Sequence, residues 1–98
     1  MGTFTDAEKD ILKQRLAENL QMLRGKLGIS QSKLAKNLGV SRQTINSIEN
    51  GRKKMSWNLF ISLVLYFSHN RDTRVLLPVV KIDMQEIEKY FLNDEGAN

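Results

Sequence analysis

Between Gln31 and Asn50 the chain reads QSKLAKNLGVSRQTINSIEN, and this stretch constrains the fold more tightly than any other. Leu34, Ala35 and Leu38 recur at helical spacing, as do Ile45 and Ile48, with Gly39 between the two sets. Ser30 and Ser41 stand where a side-chain oxygen can accept from the open N–H groups of a first helical turn. Two helices joined by so short a turn must cross steeply. The first then needs a small residue where the second passes over it, and Ala35 is there. The turn needs a left-handed backbone, which glycine adopts without a Cβ clash, and Gly39 supplies it. Val40 is placed to fill the gap beneath the turn, and Gly51 to end the second helix.

The flanking segments extend the helical pattern. Thr5–Asp6–Ala7–Glu8 has the form of a capping box. Behind it Leu12, Leu16, Leu20, Leu23 and Leu27 make one amphipathic helix that stops near Gly28. Gly25 inside it either permits close packing or marks an earlier end. Ser56 caps a fourth helix with a wide apolar face of Trp57, Phe60, Ile61, Val64, Leu65 and Phe67. Those aromatic residues are expected in the core rather than on a stacking platform. Residues 70–82 carry Val75, Leu76, Leu77, Val79 and Val80 around Pro78. A short helix over about 71–77, capped by Asn70, is favoured over an edge strand. Asp83–Met84–Gln85–Glu86 opens a last helix near 84–92, with Met84, Ile87 and Phe91 on one face. The expected fold is all-α, a compact bundle of five to six short helices. It divides into residues 1–69, containing the 31–50 pair, and a C-terminal helical extension, 70–98.

With 98 residues the chain supports one compact domain. It has no cysteine, which excludes disulfides and thiolate metal sites. His69 is the only histidine, so no multi-histidine metal site is expected, and no cofactor either. No phosphate-cradling glycine loop occurs, nor a nucleophile–histidine–acid set, so an enzyme is not expected. The longest apolar run, Leu59–Phe67, is far too short to span a bilayer, and the polar N-terminus has no signal-peptide character. A cytoplasmic location is the expectation. The net charge of +4 is unevenly spread. From Arg24 to Lys54 there are eight Lys/Arg and one acid, Glu49; from Asp83 to Glu95 there are five acids and one lysine. A basic middle suits a polyanion-binding surface, and equally a solvated surface whose charges happen to cluster.

Taken with the preceding Leu-Gly-Ile-Ser-Gln and the trailing Ile-Glu-Asn-Gly-Arg, the Gln31–Asn50 segment resembles the helix-turn-helix of the Cro/C1-type (XRE) family, that of the lambdoid phage repressors. The likeness covers about residues 16–69 and implies a lambda-repressor-like bundle that binds double-stranded DNA. The family docks the second helix in the major groove, which makes residues 41–50 the recognition helix. The resemblance implies base-edge contacts at Arg42 and Gln43, with Asn46 and Ser47 as further candidates. Arginine can fork onto guanine and glutamine onto adenine, although Arg42 can instead hold a phosphate. Phosphate contacts are implied at Gln31, Asn50 and Arg52, with Lys53 and Lys54 adding charge. Gln31 can also brace Gln43, and Thr44 either bonds phosphate or completes the first helical turn. Lys33 and Lys36 are weaker candidates. Glu49, an acid on a basic face, matches a residue that pairs with an arginine of the first helix, here Arg24. That ion pair is expected to be structural.

A single module of this kind covers half an operator, so a two-fold homodimer is expected. Val75, Leu76, Leu77, Val79, Val80, Ile87, Tyr90 and Phe91 are candidates for its interface, or else complete the core of one chain. The expected function is transcriptional regulation, repression before activation, because repression needs only occupancy of the operator. The alternative is an antitoxin-like or adaptor module whose C-terminal region binds a partner protein.

Overall fold

The first helix, α1 (Asp6–Leu27), begins where Thr5 and Glu8 exchange hydrogen bonds. Thr5 N–H donates to Glu8 Oε1 at 2.7 Å, and Glu8 N–H to Thr5 Oγ1 at 3.1 Å. Leu12, Leu16, Leu20 and Leu23 then share one buried stripe. The helix closes on Gly28 (φ 64°), with Gly28 N–H donating to Gly25 and Ile29 N–H to Arg24. This paired arrangement satisfies the last carbonyls and turns the apolar Ile29 back onto the core. Gly25 neither ends the helix nor lets another element approach: a Cβ added there would meet nothing within 4 Å.

The same solution recurs one helix later. In α2 (Gln31–Leu38) the Ser30 hydroxyl accepts from Lys33 N–H at the start, and Gly39 (φ 73°) ends it. Val40 N–H reaches back to Ala35, and the Val40 side chain packs under the turn. Ser41 caps α3 (Arg42–Glu49), which ends at Asn50 with Gly51 (φ 74°) beyond it. Ala35, Ile45 and Ile48 are buried at the crossing of the two helices.

Ser56 caps α4 (Trp57–His69) as expected, but its buried face is Leu59, Phe60, Leu63, Val64 and Phe67. Trp57 and Ile61 are half-buried, and Leu65 points to solvent at 59% exposure. The sequence expectation held for Phe60, Val64 and Phe67 but included Leu65 and missed Leu59 and Leu63, because α4 is apolar nearly all round, which blurs the stripe. After it, α5 (Arg71–Arg74) is shorter than the expected helix over 71–77. The ring of Pro78 would crowd the carbonyl of Arg74 in a continued helix, and the chain passes instead into turns over 75–81. Buried Thr73 donates its hydroxyl to the Phe67 carbonyl at 2.6 Å, satisfying the open end of α4. The turns end at Lys81 (φ 63°), whose carbonyl accepts from Arg15 of α1 at 3.0 Å. Residues 84–89 form a last helical segment, α6, opened by Asp83 accepting from Gln85 N–H.

The structure describes residues 4–89; within them the fold is an all-α bundle of six helices with no strand. Helix α1 packs on α3, α4 and α5, and α2 on α3 and α4. One core runs from Leu12 to Ile87. Leu77 and Ile87, offered as interface candidates, belong to it, as does Ile82, while Leu76 and Val80 pack against it. Val75 and Val79 remain outside at 58% and 71% exposure. Tyr90 and Phe91, and the end of the expected helix near 84–92, lie outside the described residues.

Candidate nucleic-acid interface

An ion pair locks the outward-facing helix to the body of the bundle. Arg24 of α1 meets Glu49 of α3 through two parallel bonds, Nε to Oε2 at 2.9 Å and Nη2 to Oε1 at 3.1 Å. Its remaining nitrogen, Nη1, donates to the Ile29 carbonyl at 3.0 Å, so one guanidinium ties α1, the α1–α2 turn and α3 together. The Glu49 side chain is only 3% exposed and that of Arg24 17%. Burial pushes the Glu49 carboxyl up, but hydrogen bonds from Arg24 and Gln31, with the charge of Arg24, outweigh it. The net effect is a value below the usual carboxylate range. The hydrogen bond to Glu49 raises Arg24, partly opposed by burial. The expected pairing is present, and the acid is turned away from the outer face.

Gln31 joins this lock. Its Nε2 donates to Glu49 Oε1 at 2.9 Å and to Asn46 Oδ1 at 3.3 Å. Neither amide hydrogen is left for a phosphate oxygen, and the expected brace to Gln43 is replaced by one to Glu49 and Asn46. The reason is geometric: the first residue of α2 lies beside the second half of α3, not its start. Asn50 Nδ2 donates to the same Asn46 oxygen at 3.3 Å. The Thr44 hydroxyl is 2.9 Å from that of Ser41, completing the first turn of α3.

Arg42 and Gln43 occupy the first two positions of α3 and are exposed. No side-chain hydrogen bond or ion pair engages either among the described residues. Asn46 and Ser47 follow on the same face, half-buried. Arg52, Lys53 and Lys54 are exposed in the α3–α4 loop, where Arg52 and Lys53 N–H groups fold back onto the Ser47 carbonyl. The structure thus brings Arg42, Gln43, Asn46 and Ser47 onto one helix face, with the basic loop at its far end. Lys33 and Lys36 are exposed on α2. Sequence reasoning missed Asn46 as a shared acceptor. The only signal was its spacing from Asn50, one helical turn away.

A short helix, a glycine turn and a second helix that starts with exposed Arg42 and Gln43 define the class: a helix-turn-helix DNA-binding domain. The helix-turn-helix family model matches residues 20–56, from the second half of α1 to the cap of α4. That match supports a DNA-binding regulator of the Cro/C1-type, or XRE, kind. The family is regulatory rather than catalytic. No curated protein and no solved structure matches the chain. Among the described residues no helix is long and apolar enough to cross a membrane.

Proposed function

We propose that the chain is a transcriptional repressor that reads its operator with α3 in the major groove. Arg42, Gln43, Asn46 and Ser47 meet base edges, while Arg52, Lys53 and Lys54 hold phosphates beside them. The observation that carries this is the pairing of a rigid support with a free face. Glu49 is fixed by Arg24 and Gln31, while Arg42 and Gln43 have no competing partner. The helix that carries them is already held in place, so binding need not order its backbone. Thr44 and Asn50, both engaged within α3, are secondary phosphate contacts. A phosphate near Gln31 meets the backbone N–H groups that open α2, since its side-chain donors are taken. Repression follows from occupancy, as a two-fold dimer with half-sites about 34–36 Å apart. Val75 and Val79, left exposed when the core closes, support a contact between the 70–89 segments of two copies. The same valines support the second reading, an antitoxin-like or adaptor role, which a co-purifying partner chain would favour.

Selection of sites from random duplexes tests the reading. Arg42→Ala and Gln43→Ala should each relax preference at particular positions by about 1–3 kcal/mol. Lys53→Ala and Lys54→Ala should weaken binding to all sequences and lower the salt slope by about one per lost contact. A selected site unchanged by the Arg42 and Gln43 variants would remove them as readers.

A further inference from the structure

One carboxylate fixes the orientation of three amides. Glu49 can only accept, so the Gln31 atom 2.9 Å from its Oε1 is the amide nitrogen. The second hydrogen of that nitrogen points to an Asn46 atom 3.3 Å away, which must then be the oxygen. Asn50 approaches this same oxygen at 3.3 Å and must present its own nitrogen. An amide oxygen has two lone pairs, and on Asn46 both are now engaged. Asn46 Nδ2 keeps two hydrogens and has no partner among the described residues. It lies three residues beyond Gln43, on the face that presents Arg42 and Gln43.

An asparagine with both ends open forks onto adenine, donating to N7 and accepting from N6. In this chain the accepting half is committed inside the protein. We propose that Asn46 reads DNA through Nδ2 as a donor only and selects a keto base, guanine or thymine, at its operator position. Gln31 and Asn50 are the positioning residues that enforce this. Guanine offers O6 and N7, and thymine O4, all acceptors. Cytosine sets its N4 amino group donor-to-donor against Nδ2. Adenine offers N7 but leaves its N6 hydrogens unmatched. The inference rests on the reading above, in which α3 enters the major groove.

The experiment is site selection from random duplexes with the full chain and three variants, each checked for folding by thermal melting. Asn46→Ala identifies the position: preference there should flatten while the rest of the site persists. The wild-type chain should favour guanine or thymine over adenine and cytosine at that position by about ten-fold. Asn46→Asp keeps both internal bonds and presents only an acceptor, so the preference should invert toward adenine or cytosine. Gln31→Ala frees one lone pair of Asn46, and adenine should rise at that position alone. A Gln31 that merely supports the fold would lower affinity uniformly instead. Wild-type preference for adenine or cytosine at the position defined by Asn46→Ala overturns the proposal, as does a site that Asn46→Ala leaves unaltered, even if the Asp variant fails to fold. In both cases the wild-type chain still selects a site, so α3 as reader survives. A wild-type chain that selects no site removes both readings together.

Discussion

Arg24 and Glu49 form one ion pair, but removing either partner leaves a different remnant. Arg24→Ala strands a carboxylate that is 3% exposed, with only Gln31 to hydrogen-bond it. The expected cost is about 3–5 kcal/mol, the range for a buried charge left unpaired. Glu49→Ala strands a guanidinium that is 17% exposed and keeps its bond to Ile29, so the cost should be nearer about 1–2 kcal/mol. Urea denaturation of the two variants measures the difference; equal losses would refute the asymmetry. The pH dependence has a definite sign. The folded Glu49 carboxyl is lowered, so its stabilisation is present above the unfolded value, about 4.3, and is lost as pH falls through the folded one. The stability gap between wild type and Glu49→Ala should therefore narrow below about pH 4. The pair itself was legible in the sequence through the family resemblance. The depth of Glu49 and the diversion of Gln31 to it were not, because both follow from how α1 and α2 sit against α3.

Among the elements, α1 and α3 show how far local sequence reaches. Every helix start in α1 to α4 was legible, because a serine or threonine caps its own first turn within three residues. Helix ends at Gly28 and Gly39 were legible for the same local reason. Gly25 was not: sequence allowed a close approach or an early end, and the structure shows open space in an unbroken helix. Gly25→Ala should accordingly stabilise the protein by about 0.5–1 kcal/mol, read as a raised Tm with DNA binding unchanged. A lowered Tm would mean that something covers this face of α1. Helix α5 failed as a sequence expectation in length rather than kind. Asn70 starts it as expected, and Pro78 acts four residues ahead of itself.

For the whole molecule, the important fact is that residues 70–89 do not hang from the helix-turn-helix but help close its core. Leu77 and Ile82 are fully buried, in the same cluster as Leu16, Ile45 and Phe60. Arg15 fastens the last turn to α1 through the Lys81 carbonyl. Leu77→Ala should therefore cost about 2–5 kcal/mol and lower the melting of the whole chain in a single transition. DNA affinity should fall only through the unfolded fraction. Melting of 70–89 as a separate, earlier step would instead make it an independent unit.

The sequence by itself determined the helical class, the caps, the glycine turn between α2 and α3, and the exposure of Arg42 and Gln43. These rest on interactions within a few residues, or on steric demands that only particular residue types meet. Tertiary structure alone decided three other matters. It engaged the Gln31 side chain with Glu49 and Asn46. It drew Leu77 and Ile87 into the core and left Val75 and Val79 outside. It also engaged the oxygen of the Asn46 amide with Gln31 and Asn50. In each case the deciding partner lies far along the chain, and its distance depends on how whole helices pack. Residue type and spacing do not encode that distance.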